Sequence, residues 1–393
     1  MKPKIAFFIT RLIIGGAEKD LRLLIEAMKD RYEIHLILTI RHEDMPPLDG
    51  IKVFYLTETE SKSAFNFLMI PFYAGRYKRY LEEKNIPLSY SQLTRPNLIA
   101  AFTRLLGWRG KIILGEKSSP VGHYQAYGLS GKIILQLIKK LYGYADLIIP
   151  NSEGTRIALA ETLRIRTNYT VIFNAIHIEK TRNQSKAPLS IERLEDVKSA
   201  LFTFICVSNL LVHKNQQLLI RAMQKLKNLD CQLWLVGVGE EEDKLRQLIK
   251  NCGQENRVFL LGYRNDALQL MAKSDCFVTA TRAEGLPNAQ IEALTLGLPI
   301  ISTDCLSGPR ELLAPNSDPH KQLKEGIEEG DYGILVALDD LDALTKAMKR
   351  VYLRPELRQK LTETSPKSVE RFAYDVIMEK TVACFDKFYT VQQ

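Results

Sequence analysis

Residues 274–312, SDCFVTATRAEGLPNAQIEALTLGLPIISTDCLSGPREL, decide how the rest of the chain is read. Cys276, Phe277 and Val278 form a short apolar run of strand type, and Gly285 and Pro287 interrupt it. Residues 289–296 then carry apolar side chains at helical spacing until Gly297 stops the helix. A second apolar run, 299–302, follows. Strand, loop, helix, strand is the βαβ unit of a parallel sheet. Its loop presents backbone N–H groups at a helix N-terminus, which suits a phosphate. Glu284 stands just before that loop and Glu292 lies about one turn into the helix. Two carboxylates beside a phosphate cradle repel the anion unless they address neighbouring hydroxyls, and ribose or sugar hydroxyls meet that need.

The same alternation extends in both directions. Towards the N-terminus, residues 4–9 (KIAFFI) run as a strand into a loop with Gly15 and Gly16, and Leu21, Leu24, Ile25 and Met28 then mark one face of a helix. Paired glycines let backbone approach a ligand closely. Further strands are expected at 33–39, 50–56, 111–114, 146–150 and 169–173. Residues 179–190 are polar and strand-poor and read as a linker, after which strands recur at 202–208, 232–236, 257–261, 275–279, 299–302 and 333–336. At 393 residues the chain exceeds what one core covers. Two Rossmann-like, doubly wound α/β domains are therefore expected, 1–178 and 199–371, with a linker at 179–198. A final helix in 372–393 is expected to cross back to the first domain. Ligands of open α/β sheets bind at the carboxyl ends of the strands, here in a cleft that the two sheets face.

Charge is distributed unevenly. Residues 1–175 hold 25 Lys and Arg against 16 Asp and Glu, and the remainder holds 29 against 30. Such asymmetry speaks to partners rather than fold. Two basic, aromatic segments, 72–80 and 132–144, read as contacts with an anionic bilayer, the alternative being amphipathic helices that face the core. The second carries Ile133, Ile134, Leu137, Ile138 and Leu141 beside Lys132, Lys139 and Lys140. Nucleic acid is not expected, since no helix-turn-helix, zinc or RNA-binding aromatic pattern is present. No apolar run approaches the roughly 20 residues of a spanning helix. The six cysteines form no C-x-x-C pair, which fits a reducing cytoplasm. Gly237-Val238-Gly239 lacks the third glycine of a dinucleotide fingerprint and is followed by Glu240 and Glu241, so an NAD enzyme is disfavoured. Asp340-Leu341-Asp342 has the form of a metal-binding D-x-D, but it opens a helix and reads as a cap.

Taken in order, GGAEK (15–19), CVSNL (206–210), HKN (213–215), VGVG (236–239), LLGY (260–263), EGLPNAQIEALTLGLPII (284–301) and STDCLSGPREL (302–312) resemble the retaining glycosyltransferases of family 4, which have the GT-B architecture. The resemblance spans nearly the whole chain, and Glu284 and Glu292 match the family's E-x7-E element. The Ser-Gly-Pro-x-Glu ending, with an insertion at 314–332, resembles the subgroup that builds bacterial surface glycans on lipid carriers from UDP-sugars.

That resemblance implies site residues. Lys214 receives the donor diphosphate, and Asn209 stands where many members have Arg. Gly237, Gly262, Tyr263 and Arg264 lie in the loops that hold base and ribose. Gly285, Leu286, Pro287 and Asn288 run along the sugar and diphosphate, with Glu284 at the sugar ring and Glu292 on the ribose. In the first domain a His is frequent where this chain has Lys117, so Glu116, Lys117 and His123 are all candidates for the catalytic group there. No metal or cofactor is implied, the UDP-sugar being a substrate. The partners implied are a lipid-linked saccharide acceptor and an anionic membrane surface, with the protein peripheral on the inner face of the cytoplasmic membrane. The alternative is a non-catalytic partner subunit, motivated by Asn209 and Lys117.

Overall fold

The computed structural model describes residues 2–12, 15–41, 50–58, 65–189 and 201–390. The chain divides into two units, Met1–Ala175 with Asp375–Gln393, and Ile176–Tyr374.

In the first unit the strands are β1 Lys4–Ile9, β2 Glu33–Ile40, β3 Lys52–Thr57, β4 Leu88–Gln92, β5 Lys111–Glu116 and β6 Leu147–Pro150. They pair in the order β3-β2-β1-β4-β5-β6, each pairing parallel. β1 reads as an unbroken apolar run because helices cover both faces of such a sheet, and Ile5 to Ile9 are fully buried. The helix Tyr374–Thr390 belongs to this unit from Asp375 onward. Its Phe385 ring lies edge-on to Phe7 and Tyr90, with centroids at 6.3 and 5.1 Å. Asp386 pairs with Arg31 at 2.8 Å, and the Tyr389 hydroxyl donates to the Lys4 carbonyl.

In the second unit the strands are β7 Phe202–Val207, β8 Cys231–Val236, β9 Val258–Gly262, β10 Cys276–Thr279, β11 Ile300–Thr303, β12 Ile327–Glu329 and β13 Ile334–Val336. Their order is β12-β13-β11-β10-β7-β8-β9, parallel except for the β12–β13 pair. With β12 set aside, both sheets share one winding order. The winding reverses between β1 and β4 in one unit and between β7 and β10 in the other, and the carboxyl ends beside such a reversal are where doubly wound sheets bind ligands.

Several expectations are corrected. β4, LSYSQ, does not read as a strand because its polar residues hide the alternation. They are bonded inside the protein: Ser89 to Tyr77 at 2.7 Å, Ser91 to Asn97 at 2.7 Å, Gln92 to Tyr90 at 2.8 Å. The strand expected at 169–173 is an extended edge instead. A single bridge joins Tyr169 to Ile148, with N–H bonds from Thr170 to Ile148 and from Ile172 to Pro150. The expected linker contains a helix, Ile178–Ser185, in which Thr181 is buried and Arg182 pairs with Glu179 at 2.7 Å. Residues 190–198 of that linker lie outside the described residues. Within the insertion at 314–332, β12 forms an antiparallel edge on β13. Asp340 is the helix cap expected of it, accepting the Ala343 N–H at 2.8 Å.

The two basic, aromatic segments are helical and partly core-facing. Helix Ile70–Glu83 buries Tyr73, Tyr77 and Tyr80, and helix Gly128–Leu141 buries Ile134, Ile138 and Leu141. On the outer surfaces of these helices Phe72 is 55% exposed, Leu129 75% and Ile133 55%.

Candidate functional site

The geometry of the second unit starts at the end of β7. The chain passes through Ser208 and Asn209 into a single turn, Val212–Lys214, closed by the Lys214 N–H on the Leu211 carbonyl at 2.9 Å. The helix Gln216–Lys225 follows, and Gln216 donates back to Ser208 Oγ and to the Asn209 carbonyl at 3.0 and 2.9 Å. Loop and helix are thereby tied together. The Lys214 side chain leaves this turn and meets Glu284, Nζ to Oε1 at 2.5 Å, with 18% and 14% of the two side chains exposed. A charge-assisted contact this short, this far from water, is strong.

Glu284 is held from behind. Ser307 Oγ donates to the Glu284 carbonyl at 2.5 Å. The next residue, Gly308, has φ +85, and a Cβ there would come within 2.2 Å of the Gly285 carbonyl. Only glycine combines that backbone angle with that approach. Helix Asn288–Thr295 begins after Pro287, which caps it without an N–H of its own. Buried Gln290 donates to Ser302 Oγ at 2.8 Å and Thr279 Oγ1 at 3.2 Å, pinning this helix to the ends of β10 and β11. Glu292 stands in its second turn.

The loops after β7, β8 and β9 are bonded to one another. Leu210 N–H bonds to the Val238 carbonyl at 2.9 Å, and Gly237 N–H to the Gly262 carbonyl at 2.8 Å. Gly237, at φ +142, leaves no room for a Cβ, which would lie 2.1 Å from the Ser208 carbonyl. This glycine is therefore explained by chain packing against the β7 loop. Asn209 and Tyr263 are exposed, and Tyr263 donates to Asn265 at 2.8 Å. Arg264 is tied to the Asp266 carboxylate at 2.6 and 2.7 Å.

Sequence reading missed Arg310 within STDCLSGPREL. It is buried and grips Asp304 at 2.6 and 3.1 Å and Glu328 at 2.9 Å, while Asp304 also accepts the Leu323 N–H at 2.7 Å. The insertion is thus fastened to the loop that backs Glu284. Arginine is expected at the surface, so sequence carries no signal for this burial.

In the first unit Gly15 is extended, at φ −178, and caps helix Gly16–Met28. Its backbone is one that any residue adopts. β5 ends on Glu116, which is fully buried and accepts the Tyr142 hydroxyl at 2.8 Å. Asn97 steadies this end by donating to the Gly115 carbonyl at 2.9 Å and to Tyr142 at 3.2 Å. Lys117 Nζ lies 2.5 Å from Asp20 Oδ2, both side chains almost wholly buried. Gln92 also donates to Asp20, at 3.3 Å. Burial alone lowers the Lys117 pKa, but Asp20 and Tyr90 outweigh it and leave the value raised, so the ammonium stays charged. Helix Gly16–Met28, β4 and the end of β5 meet in this cluster, beside the reversal in winding. His123 sits on the short helix Pro120–Tyr124, its ring edge-on to Tyr124 at 4.8 Å and 5.6 Å from Tyr127.

Burial pushes the Glu116 carboxyl up to about 7, against the lowering effect of the Tyr142 hydroxyl and of neighbouring N–H groups. A carboxyl raised in the folded state stabilises fully below its unfolded pKa, and that contribution is lost as pH climbs through the folded value. The loss amounts to ~3 kcal/mol between about pH 4.5 and above 7. Thermal melts at about pH 5 and pH 8 should therefore show lower stability at the higher pH, and Glu116→Gln should remove most of that difference. An unchanged difference in the variant would assign the pH dependence elsewhere.

Two sheets of six and seven strands wound in one order are those of the GT-B fold, and an acid and a lysine meet at the reversal of the second. Residues 14–180 match the family description Glycosyltransferase Family 4, and residues 192–368 match Glycosyl transferases group 1. Over 360 residues the chain is 30% identical to the N-acetylgalactosamine-N,N'-diacetylbacillosaminyl-diphospho-undecaprenol 4-alpha-N-acetylgalactosaminyltransferase of Campylobacter jejuni, covering 91% of this chain and 92% of that one. Among solved structures it superposes on sucrose-phosphate synthase from Thermosynechococcus elongatus with a TM-score of 0.83 at 17% identity, over 99% and 100% of the two chains. Anabaena HepE in complex with UDP-glucose matches with a TM-score of 0.73 at 21% identity, over 98% and 99%. The chain belongs to glycosyltransferase family 4, a family of retaining hexosyltransferases.

Proposed function

We propose that this enzyme moves a hexose or N-acetylhexosamine from a UDP-sugar to a lipid-linked or lipopolysaccharide-type saccharide at a membrane surface. The second unit takes the donor and the first the acceptor. The observation that carries this reading is the Lys214–Glu284 pair at the carboxyl ends of β7 and β10, where a cation and a carboxylate stand side by side. In the reaction the bond from the sugar's anomeric carbon to the diphosphate breaks with its electron pair leaving on UDP, and the acceptor oxygen bonds to that carbon, its proton being released. Charge grows on the departing diphosphate and positive charge develops on the sugar ring. Lys214 offsets the first, and Glu284 faces the second while holding a sugar hydroxyl. Glu292 takes the ribose, and the loops at Gly237 and Gly262 to Arg264 take the base. In the first unit the charged Lys117, steadied by Asp20, with Glu116 and His123 nearby in sequence, forms the catalytic side. Support for the acceptor class comes from the Campylobacter relative, whose name specifies a diphospho-undecaprenol-linked sugar. The test is transfer from a panel of UDP-sugars to a short polyprenyl-diphosphate-linked saccharide, read by mass spectrometry. A partner subunit without activity gives neither transfer nor slow hydrolysis of any donor.

Membrane contact is assigned to the outer surfaces of helices Ile70–Glu83 and Gly128–Leu141. There Phe72, Leu129 and Ile133 are exposed, together with Arg76, Arg79, Lys132, Lys139 and Lys140. Exposed apolar side chains and cations on the same helix suit an interface with anionic headgroups. Among the described residues no helix is long and apolar enough to cross a membrane. Co-sedimentation with phosphatidylglycerol-containing vesicles is expected to fall with added salt and to drop several-fold when Leu129→Asp and Ile133→Asp are combined. Equal recovery on neutral vesicles would count against this assignment.

A further inference from the structure

We infer that Asp339 and Arg282 are positioning residues that set where the Lys214 turn stands relative to Glu284; the inference rests on the donor-site reading above. Lys214 and Glu284 lie on different loops, 70 residues apart in sequence, so their contact depends on what fixes one loop to the other. Three ties do so. The Arg282 N–H donates to the His213 carbonyl at 2.7 Å, one residue before Lys214 and two before Glu284. The Arg282 guanidinium holds both carboxylate oxygens of Asp339, at 2.8 and 3.1 Å. Asp339 in turn accepts the side-chain amide of Asn215, the residue after Lys214, at 2.9 Å. One carboxylate thus joins the loops that follow β7, β10 and β13.

Backbone conformation points the same way. Asn215 and Asp339 both have positive φ, +53 and +57. Asn and Asp tolerate that region better than other side chains, but it is held only where surrounding contacts demand it. Here the two strained residues are bonded to each other. Asp339 is half exposed and Arg282 nearly so, so the pair contributes little to global stability. Its effect is local, on the placement of an ammonium that must meet a diphosphate.

The experiment is a calorimetric measurement of UDP affinity for the wild type, Asp339→Ala, Lys214→Ala and the double variant, with Asp339→Asn as a shape-conserving companion and thermal melts of each. Asp339→Ala is expected to weaken UDP roughly 3- to 10-fold, the range for an ordinary net hydrogen bond felt indirectly through Lys214, with a melting temperature close to that of the wild type. In the Lys214→Ala background the same change should cost no further affinity, because its effect passes through Lys214. Asp339→Asn, which keeps an acceptor for Asn215, should fall between. Equal fold losses in both backgrounds would overturn the positioning role, as would wild-type affinity in Asp339→Ala. If Lys214→Ala itself binds UDP normally, the donor-site reading fails and the positioning role with it.

Discussion

Glu284→Gln is expected to cut sugar transfer by roughly a hundredfold while UDP stays bound at least as tightly as in the wild type. The two effects diverge because of what Glu284 touches. Its carboxylate engages the Lys214 ammonium at 2.5 Å. A diphosphate that binds at Lys214 competes with Glu284 for the same ammonium. Replacing the carboxylate by a neutral amide of the same shape removes that competitor, so affinity for UDP holds or rises. Transfer, by contrast, needs a negative group facing the developing positive charge on the sugar. Steady-state turnover measured beside calorimetric UDP affinity separates the two, and unchanged turnover would remove Glu284 from the reaction.

Lys214→Ala is expected to weaken UDP by roughly 10- to 100-fold, the range for losing a hydrogen bond between charged groups. Two losses add in this variant. The cation is gone, and Glu284, 14% exposed, is left as an uncompensated carboxylate beside the incoming diphosphate. Adding Glu284→Gln to Lys214→Ala should therefore recover part of the lost affinity. A double variant that binds UDP more weakly than Lys214→Ala alone would show that the two side chains do not act on one anion.

Much of this architecture is legible in the chain, and the failures have physical causes. Apolar strands such as KIAFFI and FTFICV announce themselves because parallel strands are buried on both faces. β4 does not, since Ser89, Ser91 and Gln92 are made compatible with burial by partners elsewhere in the fold. Helix Ile178–Ser185 is polar almost throughout, so no apolar stripe marks it. The site divides along the same line. E-x7-E and HKN place Glu284 and Lys214 in their loops and Glu292 on the helix that follows, because local loop and helix chemistry is written in adjacent residues. The Lys214–Glu284 contact and the Arg282–Asp339–Asn215 tie join residues that only the winding of the sheet brings together, and the Arg310–Glu328 pair reaches from the segment after β11 to the edge strand β12. Arg264 and Asp266, by contrast, pair at 2.6 Å within a single loop, two residues apart in the sequence.

The central claim is that the second unit takes a uridine nucleotide at Lys214, and calorimetric titration of the whole protein with UDP, GDP and NAD tests it most directly. UDP should bind, GDP more weakly and NAD not at all, with UDP affinity lost roughly 10-fold or more in Lys214→Ala. Binding of NAD but of neither nucleoside diphosphate, or equal UDP affinity in wild type and Lys214→Ala, would contradict it.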